Sequence, residues 1–281
     1  MTNRALIRFS IYYADQAWQE LIRNVIAPFL KQNQVFIAHF YIFLSNYRGD
    51  HIKLILEPEK GYKTVLINSF RTQVLHFLAE MPSSEPSIRF TPGKSIWMNY
   101  ANNSFEINNY DTYFLADASP LLDFTRATSR MILNQFLSGQ IEEMEDIINL
   151  ATHLLLKLIS NHVDTQTNAF FDSMVKQLIN DLGASSDSET IGQVLEDSAD
   201  AATHNQHILQ SFCAYNPVDE ESSLEDQIIL STWLIQGQKL ISGEGKKKFI
   251  ETFCYQIGLS ELSKLYVLNL IGHFWRHSGQ S

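Results

Sequence analysis

Val35-Phe-Ile-Ala-His39-Phe-Tyr-Ile-Phe-Leu44 runs through Ser45-Asn-Tyr-Arg48-Gly49-Asp50 into His51-Ile-Lys53-Leu-Ile55-Leu-Glu57. Two runs of β-formers joined by a short segment containing Gly and Asp read as a hairpin. In the second run His51, Lys53 and Ile55 alternate, so they share one face of the strand. A His and a Lys two positions apart can present a base and a cation to a bound carboxylate or enolate. Read locally, however, polar alternation describes an ordinary solvent-facing strand of a half-exposed sheet, and that is the expectation from these residues alone.

Working outward, Ala5 to Tyr13 alternates polar and apolar residues around Leu6, Ile7, Phe9, Ile11 and Tyr13, as a strand does. Asp15 is expected to cap a helix running to about Gln32, with Trp18, Leu21, Ile22, Val25, Ile26, Phe29 and Leu30 on one apolar face. A second helix is expected from Lys63 to Glu80, burying Val65, Leu66, Phe70, Val74, Leu75 and Leu78. The order β-α-β-β-α is a split β-α-β arrangement, and one more strand or hairpin is expected within Ser87 to Phe114. From Ser119-Pro120 onward the periodicity is helical, with helices predicted over 120–138, 141–162, 166–182, 190–213, 223–242, 245–257 and 260–277. The fold class is therefore α+β: an N-terminal, mostly antiparallel split β-α-β sheet packed with a larger C-terminal helical region. Two lobes follow, an α/β lobe over 1–115 and a helical lobe over 116–281. Ser185 to Asp200, rich in Ser, Asp and Ala, reads as a long surface loop or frayed helix. Asn216-Pro217 interrupts any helix, and Ser222-x-x-Glu225 makes a capping box for the next one.

Composition narrows the class without giving a function. The 281 residues are 45% apolar and 12% aromatic, enough to bury a sizeable core. Lys and Arg number 21 against 31 Asp and Glu, a formal charge of −10, which argues against a generic nucleic-acid binder. The charge is uneven: residues 1–100 hold 11 basic and 7 acidic side chains, leaving 10 and 24 for the rest. Cys213 and Cys254 are too few for a disulfide framework, which makes a reduced, cytoplasmic setting the default. The longest near-apolar run, Val35 to Leu44, is far shorter than the roughly 20 residues that span a bilayer, and no secretory signal is recognisable.

Motif by motif, most chemistry falls away. Gly243-Glu-Gly245-Lys246-Lys247-Lys248 lacks the spacing of a phosphate-binding loop and reads as a basic turn opening a helix. His204-x-x-His207 and His273-x-x-x-His277 each set two imidazoles on one side of a helix with no evident third ligand, so no metal site is expected. Neither Gly-x-Ser-x-Gly nor Gly-x-Gly-x-x-Gly occurs.

The strand at Ile7-Arg8-Phe9, the helix end Ile26-Ala27-Pro28-Phe29-Leu30, the aromatic strand Phe40-Tyr41-Ile42-Phe43-Leu44 and the turn into Gly49-Asp50-His51-Ile52-Lys53-Leu54 resemble the thiopeptide-type bacteriocin biosynthesis domain. The same domain forms the C-terminal glutamate-elimination part of nisin-type lantibiotic dehydratases and related standalone thiopeptide cyclases. In that family the second strand reads His-Leu-Arg-Leu-Arg. His51 matches the His, Lys53 stands at the first Arg, and Ile55 replaces the second. The Lys keeps charge without bidentate carboxylate geometry, and the Ile loses the charge. Near the C-terminus Leu270-Ile-Gly-His273-Phe-Trp-Arg276 takes the place of Ile-His-Met-x-x-Asn-Arg, one residue short in its His-to-Arg spacing. Where the family has Tyr-x-x-Glu-x-x-Arg-Tyr-Gly, this chain has Trp97-Met-Asn-Tyr100 and Phe105-Glu106-Ile-Asn-Asn-Tyr110-Asp111.

The resemblance implies work in the biosynthesis of a ribosomally made, post-translationally modified peptide. The chain would act on a modified precursor peptide, leader and core, as a glutamate-elimination lyase or a ring-forming cyclase. A non-catalytic peptide-binding or scaffolding subunit is the alternative, which the missing arginines favour, and a binding or structural protein outside that pathway is the third reading. His51 or His273 would move the proton, Lys53 and Arg276 would stabilise anions, and Arg48, Tyr100 and Glu106 would bind substrate. No cofactor is implied, since glutamyl-tRNA would serve a separate glutamylating dehydratase subunit. No direct nucleic-acid or membrane contact is expected, and a homodimer is implied by resemblance alone.

Overall fold

The computed structural model describes residues 6–46, 48–84, 100–108, 119–160, 167–183, 186–214, 224–241 and 245–278. Asn216-Pro217, the Ser222 half of the capping box, Gly243, Trp97 and Tyr110-Asp111 lie outside the described residues. The chain divides into two compact units. One holds the sheet, its two covering helices, the helix after Pro120 and residues Tyr255–Gly258; the other holds the helices from Ile147 to Cys254 and from Leu259 onward.

In the sheet unit, β1 (Ile7–Tyr12), β2 (Ile37–Ser45), β3 (His51–Pro58) and β4 (Ser104–Ile107) form one sheet in the order β2-β3-β1-β4. Every neighbouring pair is antiparallel, with β3 lying between β1 and β2 as a split β-α-β unit requires. Ile7, Phe9, Ile11, Ile52, Leu54 and Leu56 are buried, and Phe9 meets Phe70 of α2 (Lys63–Glu80) at 4.5 Å between ring centroids. Phe70 in turn meets Phe29 of the first helix at 4.6 Å, so both helices cover the same sheet face.

That first helix, α1, spans residues 15–32 and is not regular. A 3-10 turn (Asp15–Ala17) leads into Trp18–Leu21, a π-helical turn over Ile22–Ile26, and α-helix again over Ala27–Gln32. Pro28 explains the widening: it has no N–H for the carbonyl four residues back, and its ring crowds that carbonyl. Asp15 is not the cap the sequence suggested. It sits inside the first turn with Oδ1 accepting from the Gln16 N–H at 2.9 Å, while the capping position is Ala14.

The outer edge of β2 is sealed by side chains. The Ile42 N–H donates to Ser129 Oγ at 2.9 Å, from α3 (Ser119–Ser138). Gln256 Nε2 donates to Ile42 O (3.1 Å), Thr125 O (2.9 Å) and Ser129 Oγ (2.9 Å), two hydrogens shared among three buried acceptors. Ile257 bridges to Leu44 in parallel, and Gly258 follows at φ +79°, where an added Cβ would lie 2.8 Å from Leu44 Cβ. Residues 255–258 thus act as a short arm clamped along an edge that would otherwise expose unpaired backbone groups.

The second unit is helical: α4 (Met144–Ser160, from Ile147 on), α5 (Thr167–Leu182), α6 (Ser188–His204), α7 (Gln206–Ala214), α8 (Leu224–Ile241), α9 (Lys246–Gln256, to Cys254) and α10 (Glu261–Ser278). The Ser185–Asp200 reading as a loop or frayed helix is overturned. Asp187 caps α6, its Oδ1 accepting from the Thr190 N–H at 2.6 Å, a bond that also holds its carboxyl below the ordinary aspartate pKa. Ser198 and Ala202 are small enough to bury against α10, where Asn269 Nδ2 reaches Leu195 O and Ser198 Oγ. The single helix expected over 190–213 is two, because Asn205 turns its side-chain amide onto Ala201 O at 3.1 Å and ends α6 there. No described helix is long and apolar enough to cross a membrane.

His153 of α4 stacks on Phe212 of α7 at 4.5 Å, and Lys157 donates to Cys213 O at 3.0 Å. Burial, helped by the Lys157 charge, lowers the His153 pKa to about 4. The folded state therefore binds this proton more weakly than the unfolded chain does. Its stability is full above about pH 6.5 and declines as pH falls from there to about 4, by up to about 3 kcal/mol. Denaturant midpoints measured across that range should fall more for the wild type than for His153→Phe, which removes the titration. In the sheet unit, Gln256→Met should cost about 1–3 kcal/mol in urea unfolding, since it strands the buried Ile42 carbonyl.

Candidate functional site

The second sheet face is polar and aromatic, and it is covered. Register places Ser45, His51, Tyr12 and Ser104 in one cross-strand row, and Phe43, Lys53, Ser10 and Glu106 in the next. Tyr41 and Ile55 follow, packed with Phe43 against Leu122 of α3, with Tyr255 alongside. His51 is fully buried, Lys53 is 7% exposed and Ser10 is 3% exposed. The solvent-facing strand expected from local alternation is thus corrected: α3 and the 255–258 arm provide a cover that no local pattern encodes.

The turn before β3 aims the histidine. Arg48 (φ +61°) and Gly49 (φ +111°) are both left-handed, which brings Gly49 O within 2.8 Å of His51 Nδ1. A carbonyl oxygen only accepts, so Nδ1 carries the hydrogen and, in the neutral ring, Nε2 holds the lone pair of a general base. The His51 ring lies 4.7 Å from Tyr12, Tyr12 stacks on Tyr100 at 4.5 Å, and the Arg48 guanidinium sits 4.6 Å above Tyr100. The Tyr100 N–H donates to Arg48 O at 3.0 Å and fixes the far end. Arg48, Tyr100 and His51 therefore form one ladder, joined through Tyr12, which the sequence reading left as a plain strand residue. The available signal was the alternation of Arg8, Ser10 and Tyr12 on one face of β1.

Lys53 Nζ donates to the Tyr255 hydroxyl at 3.3 Å, and the Tyr255 ring lies 5.8 Å from Phe43. Tyr255 was not singled out from sequence; no local pattern links positions 202 residues apart. Further along the face, Arg126 binds Asp123 (3.0 Å), Tyr41 Oη (3.1 Å) and Glu57 (3.5 Å). Glu106 is exposed on β4, in the row of Lys53.

His273 and Arg276 stand on α10 in the helical unit. Arg276 Nη1 is paired with Asp172 of α5 at 2.6 Å. His273 stacks on His277 at 4.7 Å, and the His277 Nδ1–H donates to His273 O. Burial first, then the Arg276 and His277 charges, hold the His273 pKa below the ordinary histidine value, against the pull of Asp200. Among the described residues no group of three or more His, Cys, Asp or Glu is arranged to hold a metal ion. Burial raises the thiols of Cys213 and Cys254 to about 11 and about 12, so neither is a thiolate nucleophile at neutral pH.

No protein-family model matches the chain, and no curated protein does. Solved structures share its fold from end to end. The pyridine synthase TbtD from thiomuracin biosynthesis is 14% identical, with 98% of this chain and 99% of that one covered and a TM-score of 0.65. A protein named TsrL is 10% identical, with 98% and 95% covered and a TM-score of 0.61. The α+β fold that the family resemblance implied is the fold the chain has.

Proposed function

We propose that this chain closes a ring on a precursor peptide that already carries dehydroalanines, as a cyclase in the biosynthesis of a ribosomally made, modified peptide. The observation that carries the reading is the end-to-end fold likeness to a pyridine synthase of nearly the same extent. The site chemistry agrees. Glutamate elimination must hold a departing group with two carboxylates, a task for paired arginines, whereas this strand offers one lysine and Ile55. A formal [4+2] closure between two dehydroalanines releases no anion and depends mostly on holding two unsaturated residues in reacting geometry. The aromatic ladder of buried His51 and Tyr12 with half-buried Tyr100 is a wall suited to that purpose.

In this reading His51 is the proton-transfer group and Lys53 the cation of the sheet site, with Arg48, Tyr100 and Glu106 binding peptide. His273 and Arg276 serve as the second His/Arg pair that the resemblance implies. The amide carbonyl drawn into the new ring loses its oxygen as water. A separate glutamylating and eliminating enzyme supplies the dehydroalanines, leader and core both belong to the substrate, and reduced thiols fit a cytoplasmic setting.

Mass spectrometry tests this with two peptides, one bearing two dehydroalanines and one bearing a glutamylated Ser or Thr, mixed with wild type, His51→Ala and His273→Ala. The expected result is loss of one water from the first peptide, slowed at least 100-fold by His51→Ala. Loss of glutamate from the second peptide would make the chain a lyase instead. Binding of both without any mass change would leave the scaffolding role.

A further inference from the structure

Residues 255–258 group with the sheet unit, apart from the helical stretches on either side of them in the chain. The clamp that holds them is elaborate for a chain reversal: a glutamine with three buried acceptors, a parallel bridge from Ile257 to Leu44, and a left-handed glycine against Leu44. What this clamp delivers to the functional face is the side chain of Tyr255, beside Lys53 and Phe43.

We propose that Tyr255 is a catalytic residue of the site, its hydroxyl hydrogen-bonding the oxygen of the peptide amide that enters the ring, and that Gln256 is the positioning residue that holds it there. Lys53 Nζ can only donate, so at 3.3 Å it occupies an acceptor site of the Tyr255 oxygen and fixes the phenol as a donor. The ammonium polarises that O–H, a stronger donor than a phenol alone. Ring closure needs such a donor. The amide oxygen takes up the proton leaving the amide nitrogen, and after ring closure it departs as water with a second proton lost from a CH2 group of the new ring; a preset donor favours the first change without reorganising at the moment of reaction. No bond to Tyr255 is made or broken. The inference rests on the cyclase reading, and it adds a residue from the far end of the chain that neither motif nor family resemblance assigned.

Three variants test it with the double-dehydroalanine peptide: Tyr255→Phe, which keeps the ring; Gln256→Met, which releases the clamp; and the double variant. Peptide binding is followed by fluorescence anisotropy and turnover by mass spectrometry. Tyr255→Phe should lower kcat about 100-fold with KM and Kd within threefold of wild type. Gln256→Met should lower kcat in the wild-type background and hardly at all once the hydroxyl is gone, a non-additivity that general destabilisation does not produce. If Gln256→Met does not fold, Lys53→Met replaces it, with the same expectation. A Tyr255→Phe enzyme with wild-type kcat overturns the proposal while leaving the cyclase reading intact. If the wild type converts nothing, the cyclase reading fails separately. The assignment of Tyr255, which rests on that reading, is then overturned with it.

Discussion

The architecture of the sheet unit depends on one buried amide. Gln256 Nε2 shares its two hydrogens among Ile42 O, Thr125 O and Ser129 Oγ, and Ser129 also accepts from the Ile42 N–H while donating to Thr125 O. A sheet edge, a helix carbonyl and a helix hydroxyl thereby meet at one buried side-chain NH2 group brought in by the 255–258 arm. Buried acceptors are costly to leave without donors, so such a network favours one arrangement of its elements. Remove the amide and the Ile42 carbonyl on the edge of β2 loses its side-chain donor, while Thr125 O keeps the Ser129 hydroxyl.

Sealing that edge changes what the sheet is for. In a sheet with one wet face, a strand such as β3 would put His51 and Lys53 into solvent, where their charges and protons are interchangeable with those of water. Here α3 packs over Tyr41, Phe43 and Ile55 and the arm sets Tyr255 beside Lys53, while His51 is fully buried and its tautomer is set by Gly49 O. At the far end of the same face Arg126 is held by Asp123, Tyr41 and Glu57. Reactive side chains in such a setting hold fixed orientations, and a fixed dipole in a low-dielectric place acts more strongly than a mobile one in water.

The split β-α-β order and the bounds of α2 were legible because each is written in local periodicity. What was not legible has a common cause, namely partners distant in the chain. Lys53 lies buried beside Tyr255, some 200 positions away in the chain, and Tyr41, Phe43 and Ile55 lie against Leu122 of α3. The π-helical turn before Pro28 and the break at Asn205 come from one side chain overriding a good periodic pattern. Asp187 and Thr190 spell an N-cap plainly, but a Ser- and Asp-rich composition masked it as loop. Arg48 and Tyr100 could be chosen as candidates from sequence, whereas Tyr12, the ring that joins them to His51, becomes visible only through strand register.

A single buried lysine constrains the chemistry further. An ammonium in a dry site costs free energy unless it is held, and a carboxylate within reach would normally hold it. Lys53 donates to the Tyr255 phenol, and its row across the sheet is Phe43, Ser10 and the exposed Glu106. Ile55 occupies the following row, where its cross-strand neighbours are Tyr41 and Arg8. Ile55 packs with Tyr41, Phe43 and Leu122 of α3 to close the face, so the strand that carries the buried cation also supplies apolar surface that helps to bury it.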